Sequence, residues 1–356
     1  MAKDVVRMAL VGAGGYAAAH LVTRLPLYKG LAVVAICDTD AEAAGRAARI
    51  TGATTVTADL AEVLRRDDID MVEFHTPNFL HADQAVAALG AGKHVLVQKP
   101  MATSLAEARR MIRAARDAKR LLGVNMDDFD DPMLVDMKAA IRAGFIGRPV
   151  AFRMRYAHQG GLSLKPGQWR CDAKLTGGGS FILLTVHNIA AVDWIFDTRV
   201  RRVAGMMKTL MAPMEGDDTT AAAVELENGL IGTAESSYLS VGCPEVPNTV
   251  TEIRGTEGCI GHQRDDSLIH MFSFNRTFHG QLVHYDKPGT SMRFMRAAGQ
   301  DAHPTLHEQF AIAILEGKPF VSDGEAGMHD LAVCQAIAES SRTGRAIDIR
   351  EFIEKA

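Results

Sequence analysis

The sequence predicts an α/β Rossmann domain, a doubly wound parallel sheet over residues 1–125, followed over residues 126–356 by an α+β domain with a mostly antiparallel sheet. Three observations lead there. A glycine-rich turn joins an apolar strand to a helical run near the N-terminus; βα units recur up to about residue 125; and past Asn125 they give way to extended segments joined by hairpin signals.

The glycine turn comes first. Val5 to Val11 (VVRMALV) reads as a strand, then Gly12-Ala13-Gly14-Gly15-Tyr16-Ala17, then the helical run AAAHLVTRL. This is the G-x-G-x-x-A form of the dinucleotide fingerprint: Gly12 allows the tight turn, Gly14 lets a pyrophosphate approach the backbone, and Ala17 is small enough for close helix–strand packing. The next strand, Leu31 to Cys37, ends at Asp38, about 20 residues after the fingerprint as the motif requires. A carboxylate there accepts hydrogen bonds from ribose hydroxyls and repels a 2′-phosphate, which favours NAD over NADP. The competing reading of Asp38 is a cap for the following helix, a place that Thr39 or Asp40 could also fill.

Thr76 to Pro100 (TPNFLHADQAVAALGAGKHVLVQKP) packs a proline turn, a helix, a short apolar strand and a Lys-Pro step into one block. Val95-Leu96-Val97 suits only a buried strand, and Pro100 holds the residue before it extended. Lys99 therefore leaves the sheet at a strand's carboxyl end, where open α/β sheets keep their ligands. Around this block lie helices Ala41 to Ile50 and Ala58 to Arg66, the strand Met71 to Phe74, a helix opened by the S-x-x-E box Ser104–Glu107, and the strand Leu121 to Val124.

After Asn125 come a helix from about Pro132 to Ala143 and the strand Val150 to Tyr156. The paired segments Thr219 to Glu227 with Leu230 to Leu239, and Val250 to Arg254 with Cys259 to Gln263, follow. Helices at about Pro304 to Glu316 and Gly324 to Thr343 finish the chain, and Asp265 to Ala302 supports only irregular strands. The methionines at 206, 207, 211 and 214 read as core filler rather than a cofactor site.

At 356 residues, with 47% hydrophobic and 23% charged residues, the chain has the composition of a two-domain soluble globular protein. A net charge of −4 without a basic block speaks against a nucleic-acid partner. The N-terminus leads into a strand without a signal-peptide core, and the apolar run Phe181 to Phe196, interrupted by His187, Asn188 and Asp193, reads as a buried helix rather than a membrane span. Cysteines at 37, 171, 243, 259 and 334 form no C-x-x-C pair and no even framework, which points to a reducing cytoplasm and to no metal site.

The fingerprint, the Thr76–Pro100 block, the Gly177-Gly178-Gly179 run with a histidine after it, and the ending SRTGRAIDI resemble the glucose-fructose oxidoreductase/inositol dehydrogenase/rhizopine catabolism family over nearly the whole chain. The resemblance implies a second, substrate-binding domain whose sheet is open-faced, and pyridine-nucleotide oxidation or reduction of a sugar or polyol carbon. It implies that Gly12, Gly14, Ala17, Asp38, the Thr76-Pro77-Asn78 turn and Gln98-Lys99-Pro100 line the cofactor and the reacting carbon, and Gly15, Tyr16 and His81 beside them complete the expected cofactor set. Gln98 stands where the family most often carries glutamate. In many members an aspartate lies one turn before the helix histidine, and here that position is Leu183.

Oxidising a secondary alcohol requires one group to hold the oxygen and another to take its proton. Lys99 suits the first task and His187 the second, both in one cleft between the domains. Each also has a plain structural reading, a solvated charge or a satisfied core histidine. With Leu183 aliphatic, Asn188, Asp172 and Tyr156 are the substitutes on offer for the missing acid. Trp169 and Arg170 could stack on and hydrogen-bond to a pyranose, and with Asn125 at the end of the first domain the substrate set is Lys99, Asn125, Tyr156, Trp169, Arg170, Leu183, His187 and Asn188. The activity expected is an NAD-dependent dehydrogenase or reductase of a sugar, sugar derivative or cyclitol. The alternatives are an NAD-retaining glycoside-cleaving enzyme and a non-catalytic sugar sensor. An open second sheet implies a homodimer or homotetramer.

Overall fold

The computed structural model describes residues 4–242, 248–263, 268–273, 292–295 and 303–356. Cys243 and most of the stretch Asp265 to Ala302 lie outside these. The chain divides into two compact units: Met1–Met126 with Pro304–His329, and Asp127–His303 with Asp330–Ala356.

The first unit is built on strands β1 (Val6–Val11), β2 (Leu31–Cys37), β3 (Thr55–Thr57), β4 (Met71–Phe74), β5 (His94–Gln98) and β6 (Leu122–Asn125), in the order β3-β2-β1-β4-β5-β6 with every pairing parallel. The β4 residues and the centre of β5 are fully buried, as expected of strands covered on both faces. Helices α1 (Ala41–Thr51), α2 (Leu60–Leu64), α3 (Asn78–Gly90) and α4 (Leu105–Ala118) supply the crossovers. Asp40 caps α1 by accepting from the amides of Glu42 and Ala43. Ser104 caps α4, while the Glu107 carboxylate reaches back to Thr103 rather than closing the box on Ser104. The expected helix after the fingerprint is only a five-residue π-helical turn, Ala17–Leu21, followed by a 3-10 turn.

The segment Pro304–His329, expected in the second domain, clusters with this first unit. Its helix Leu306–Glu316 packs against β1 and β2, while Ser322–Asp323 and the start of the helix Gly324–Thr343 lie along β6, where the Val124 amide donates to the Ser322 carbonyl at 2.8 Å. Gly123 makes this possible: a Cβ there would lie 2.7 Å from Phe320 and 2.9 Å from Phe310, whose rings pack edge to face. Spacing along the chain carries no mark of such a return.

In the second unit, β7 (Pro149–Ala157), β8 (Val200–Lys208), β9 (Thr219–Leu226), β10 (Ile231–Ser237), β11 (Thr249–Gly255), β12 (Gly258–Gln263), β13 (Leu268–Ser273), β14 (Met292–Met295) and β15 (Ile347–Asp348) form one mixed sheet, antiparallel except where β10 runs parallel to β7. Helices α5 (Pro132–Arg142), α6 (Ala173–Thr176) and α7 (Val186–Phe196) belong to it. The stretch Ala173–Phe196, in which a glycine break separates α6 from the helical run ending in α7, is long and apolar enough to cross a membrane, yet 89% of its most apolar window is buried inside the protein. On β8, β9 and β10 exposure alternates with burial, which leaves one face uncovered. The methionine reading needs correction here: Met214 is buried, but Met206 and Met211 are exposed, because Met206 falls on the open face of β8 and Met211 in the loop beyond it.

Candidate active site

In the first unit the sheet register brings the carboxyl ends of four strands into one row: Val11 pairs with Phe74, Phe74 with Val97, and Gln98 with Asn125. Gly12, His75 and Lys99 are the next residues out on β1, β4 and β5. Gly12 has φ +91°, and a Cβ on it would lie 2.7 Å from the His75 carbonyl oxygen. Only glycine fits. Gly14, by contrast, faces open space, and so does Gly15 at φ +49°, a cradle of the kind a pyrophosphate requires. Ala17 is fully buried beneath it, whereas Tyr16 is exposed.

Asp38 closes this loop. Its carboxylate accepts from the Ala13 amide at 2.6 Å and from the Asp40 amide at 2.8 Å, while Asp40 does the capping of α1. An acid at the end of β2, tied to the glycine turn itself, suits the ribose of a dinucleotide. The residues present therefore fit the group the fingerprint implies.

Thr76 donates to Gln84, Pro77 precedes α3, and Asn78 is buried at its first turn. His81 is wholly buried, its Nδ1 3.0 Å from the Pro100 carbonyl and its Nε2 2.8 Å from the Thr76 carbonyl. Burial lowers it to about 4, so at neutral pH the ring has one N–H to share between two acceptors. His81 joins the Thr76 and Lys99–Pro100 turns to each other. The Gln98 side chain accepts from the Lys99 amide at 2.7 Å, which braces the turn from which Lys99, half-buried, extends.

Beneath this row lies a cluster that sequence reasoning missed. Glu73, fully buried in β4, accepts from Asn125 at 2.8 Å and meets Nε2 of His75 at 2.7 Å and Nε2 of His307 at 3.0 Å. Burial pushes the Glu73 pKa up, but the charges of His307 and His75 and their hydrogen bonds outweigh it and hold the carboxyl well below the usual carboxylate range. Tyr16 of the fingerprint stacks on His75, ring centroids 6.1 Å apart and planes 7° from parallel. The one available signal was an acid inside the apolar strand MVEF. Asn125, expected at the substrate, spends its amide on Glu73.

In the second unit the glycine run positions the histidine. Gly177 ends α6 in a left-handed conformation, and the backbone of Gly179 lies so close to Asp217 that a Cβ there would meet its amide nitrogen. The Asp217 carboxylate then accepts from the Ser180 hydroxyl at 2.7 Å and the Phe181 amide at 3.1 Å, fixing the start of the helical stretch. A π-helical turn, Phe181–Thr185, carries Leu183, which is buried, and leads into α7 with His187 and Asn188. His187 Nδ1 meets Asp128 Oδ2, a buried contact across 59 positions. The Tyr156 ring stands edge-on to His187 with centroids 5.5 Å apart. Asn188 is buried with its Nδ2 facing no acceptor among the described residues.

Thus His187 and Tyr156 come together, while Trp169 and Arg170 stack on each other at 4.9 Å in the loop before α6, and Asp172 caps α6. Asp128, in the DDFDD run after β6, was not foreseen. Among the described residues no group of three or more His, Cys, Asp or Glu is arranged to hold a metal ion.

Against known proteins, a family profile described as an oxidoreductase family with an NAD-binding Rossmann fold matches residues 6–126, and one described as a GFO/IDH/MocA C-terminal domain matches residues 134–261. The chain is 29% identical to the 1,5-anhydro-D-fructose reductase of Ensifer adhaerens, over 96% of this chain and 98% of that one. It is 28% identical to the scyllo-inositol 2-dehydrogenase (NAD(+)) of Bacillus subtilis strain 168, over 97% and 96%. A solved levoglucosan dehydrogenase, in complex with NADH and levoglucosan, shares the fold with a TM-score of 0.83 at 23% identity, over 97% of this chain and 99% of that one.

Proposed function

We propose that this chain, which belongs to the GFO/IDH/MocA oxidoreductase family with its NAD-binding Rossmann domain, transfers a hydride between NAD and a secondary alcohol or ketone carbon of a sugar, sugar derivative or cyclitol. One observation carries the reading: the glycine turn, the Thr76–Pro77 turn and the Lys99–Pro100 turn leave adjacent strand ends in one register. The relatives that act on anhydrofructose and scyllo-inositol support the substrate class.

NAD, when bound, supplies the hydride acceptor or donor. Gly12, Gly14, Gly15 and Ala17 shape its cradle, and Asp38 takes the ribose hydroxyls and disfavours a 2′-phosphate. The Lys99 ammonium donates a hydrogen bond to the reacting oxygen and steadies the negative charge that grows on it. His187 accepts the hydroxyl proton in oxidation and returns it in reduction. Asn188, with its amide unspent, presents a donor to a second hydroxyl of the substrate.

A homo-oligomer and a cytoplasmic location belong to the same proposal. The first is supported by the open face of the second sheet, where Met206 pairs with Ala221 and Ala204 with Ala223 and Ile231 is exposed. The second is supported by cysteines without paired spacing.

The test is a panel of sugars, cyclitols and glycosides with NAD and NADP, followed by nicotinamide absorbance and by mass spectrometry of the products. Net NADH formation on a polyol or sugar is the expected result. Aglycone release without net NADH, or ligand binding with neither, would replace the proposal with a glycoside-cleaving enzyme or a sensor.

A further inference from the structure

We propose that Asp128 is the positioning residue for His187, holding its ring in the tautomer that can take a proton from substrate. The proposal rests on the hydride-transfer reading above and adds to it the group that stands in for a carboxylate at Leu183.

His187 Nδ1 lies against Asp128 Oδ2 with both side chains nearly shut off from solvent, at 6% and 9% exposure. A carboxylate accepts and does not donate, so the proton between them sits on Nδ1, and in the neutral ring Nε2 keeps its lone pair. The contact is not an accident of one mobile side chain, because the turn that carries Asp128 is stitched to α7 at other points. The Phe129 ring packs on Trp194 with centroids 5.6 Å apart. Asp131 caps α5 by accepting from the Met133 amide, and from α5 Lys138 reaches the Trp194 carbonyl and, at 2.7 Å, the Asp197 carboxylate. Tyr156 bounds the imidazole edge-on from β7. Leu183, one turn before His187, is aliphatic and buried, and can offer the ring nothing but packing.

In oxidation the substrate O–H bond breaks with its proton passing to His187 Nε2. The C–H bond breaks with its electron pair passing to oxidised NAD, and the C=O bond forms. The imidazolium that results keeps its Nδ1 proton toward Asp128, whose negative charge offsets the new positive one; no proton need move to the carboxylate. Removing that charge should slow the chemical step and leave substrate and cofactor binding alone.

The experiment has two arms. In the wild-type protein, histidine-selective 15N NMR should show His187 as the Nδ1–H tautomer; an Nε2–H tautomer overturns the proposal whatever any variant does. In kinetics, Asp128→Asn should lower kcat by roughly ten- to a hundredfold with KM and the Kd for NAD within about twofold. Asp128→Glu should recover most of that loss, and Asp128→Asn with Leu183→Asp should recover part of it. Wild-type kcat in Asp128→Asn, or a loss that appears in KM and Kd instead, overturns the assignment. If no panel compound is turned over at all, the function has failed rather than the role of Asp128, and the tautomer still decides the latter.

Discussion

In the first unit the groups proposed to meet a nucleotide are backbone turns at adjacent strand ends, while in the second unit His187 is held among side chains contributed by separate segments. The two constructions fail differently. A backbone cradle tolerates changes of side-chain chemistry around it and is intolerant of an added Cβ, since Gly12 has no room for one. A side-chain constellation tolerates backbone variation nearby and loses its chemistry when one functional group goes. Cofactor affinity and turnover should therefore separate on mutation.

The largest effect is expected from the reacting side chains. His187→Ala and Lys99→Ala should each cut turnover by about a hundredfold or more while the Kd for NAD, measured by calorimetry, stays within about twofold. A matching loss of NAD affinity in His187→Ala would break the separation. Gly12→Ala is the converse. Positive φ and a carbonyl oxygen at 2.7 Å should weaken NAD binding by roughly ten- to a hundredfold, with turnover at saturating NAD nearly preserved. Asp38 gives a comparable or smaller effect: NAD should bind about 1–3 kcal/mol more tightly than NADP, and Asp38→Asn should narrow that gap. Equal affinities in the wild-type protein would remove Asp38 from the cofactor site.

The smallest effect concerns buried acids and sharpens the same contrast. Glu73 in the first unit has two imidazoles against it, whereas Asp330 in the second is pushed up to about 7 by burial, which the Arg199 charge offsets only in part. Burial and the neighbouring Asp330 also raise Asp193 well above its ordinary value, despite Arg199 at 3.5 Å. The signs are opposite. Asp330 binds its proton more tightly when folded, so its contribution to stability is complete below 3.8 and is lost as pH rises to about 7. Glu73 binds its proton less tightly when folded, so its contribution is present above the ordinary glutamate value and is lost as pH falls. Melting temperatures from pH 5 to 8 should fall less in Asp330→Asn than in the wild-type protein. An equal slope in both would mean that Asp330 is ionised throughout.

The same division governs what the sequence could show. Residues whose placement follows from local spacing were legible: the fingerprint, Asp38 at the end of β2, the Lys99–Pro100 step, and the helix from Gly324 to Thr343, which begins and ends where its pattern does. The short strand β3, with three residues of ordinary composition, gave too little periodicity to see, and β8 was obscured by its run of methionines. The Glu73 cluster joins residues up to 234 positions apart, and Asp128 reaches His187 across 59. Such contacts are set by tertiary packing, which a linear pattern does not encode. Leu183 told that an acid was missing; only the fold tells where one was found.

The most direct measurement of the central claim follows hydrogen itself. A sugar or cyclitol from the panel that is turned over is labelled with deuterium at the reacting carbon, mixed with NAD and the enzyme, and the nicotinamide is analysed by mass spectrometry. Direct hydride transfer predicts one deuterium on the NADH formed by the wild-type protein, with almost none formed by Lys99→Ala or His187→Ala although both still bind NAD. Deuterium appearing in solvent rather than on the nicotinamide, or full transfer in both alanine variants, would contradict the account.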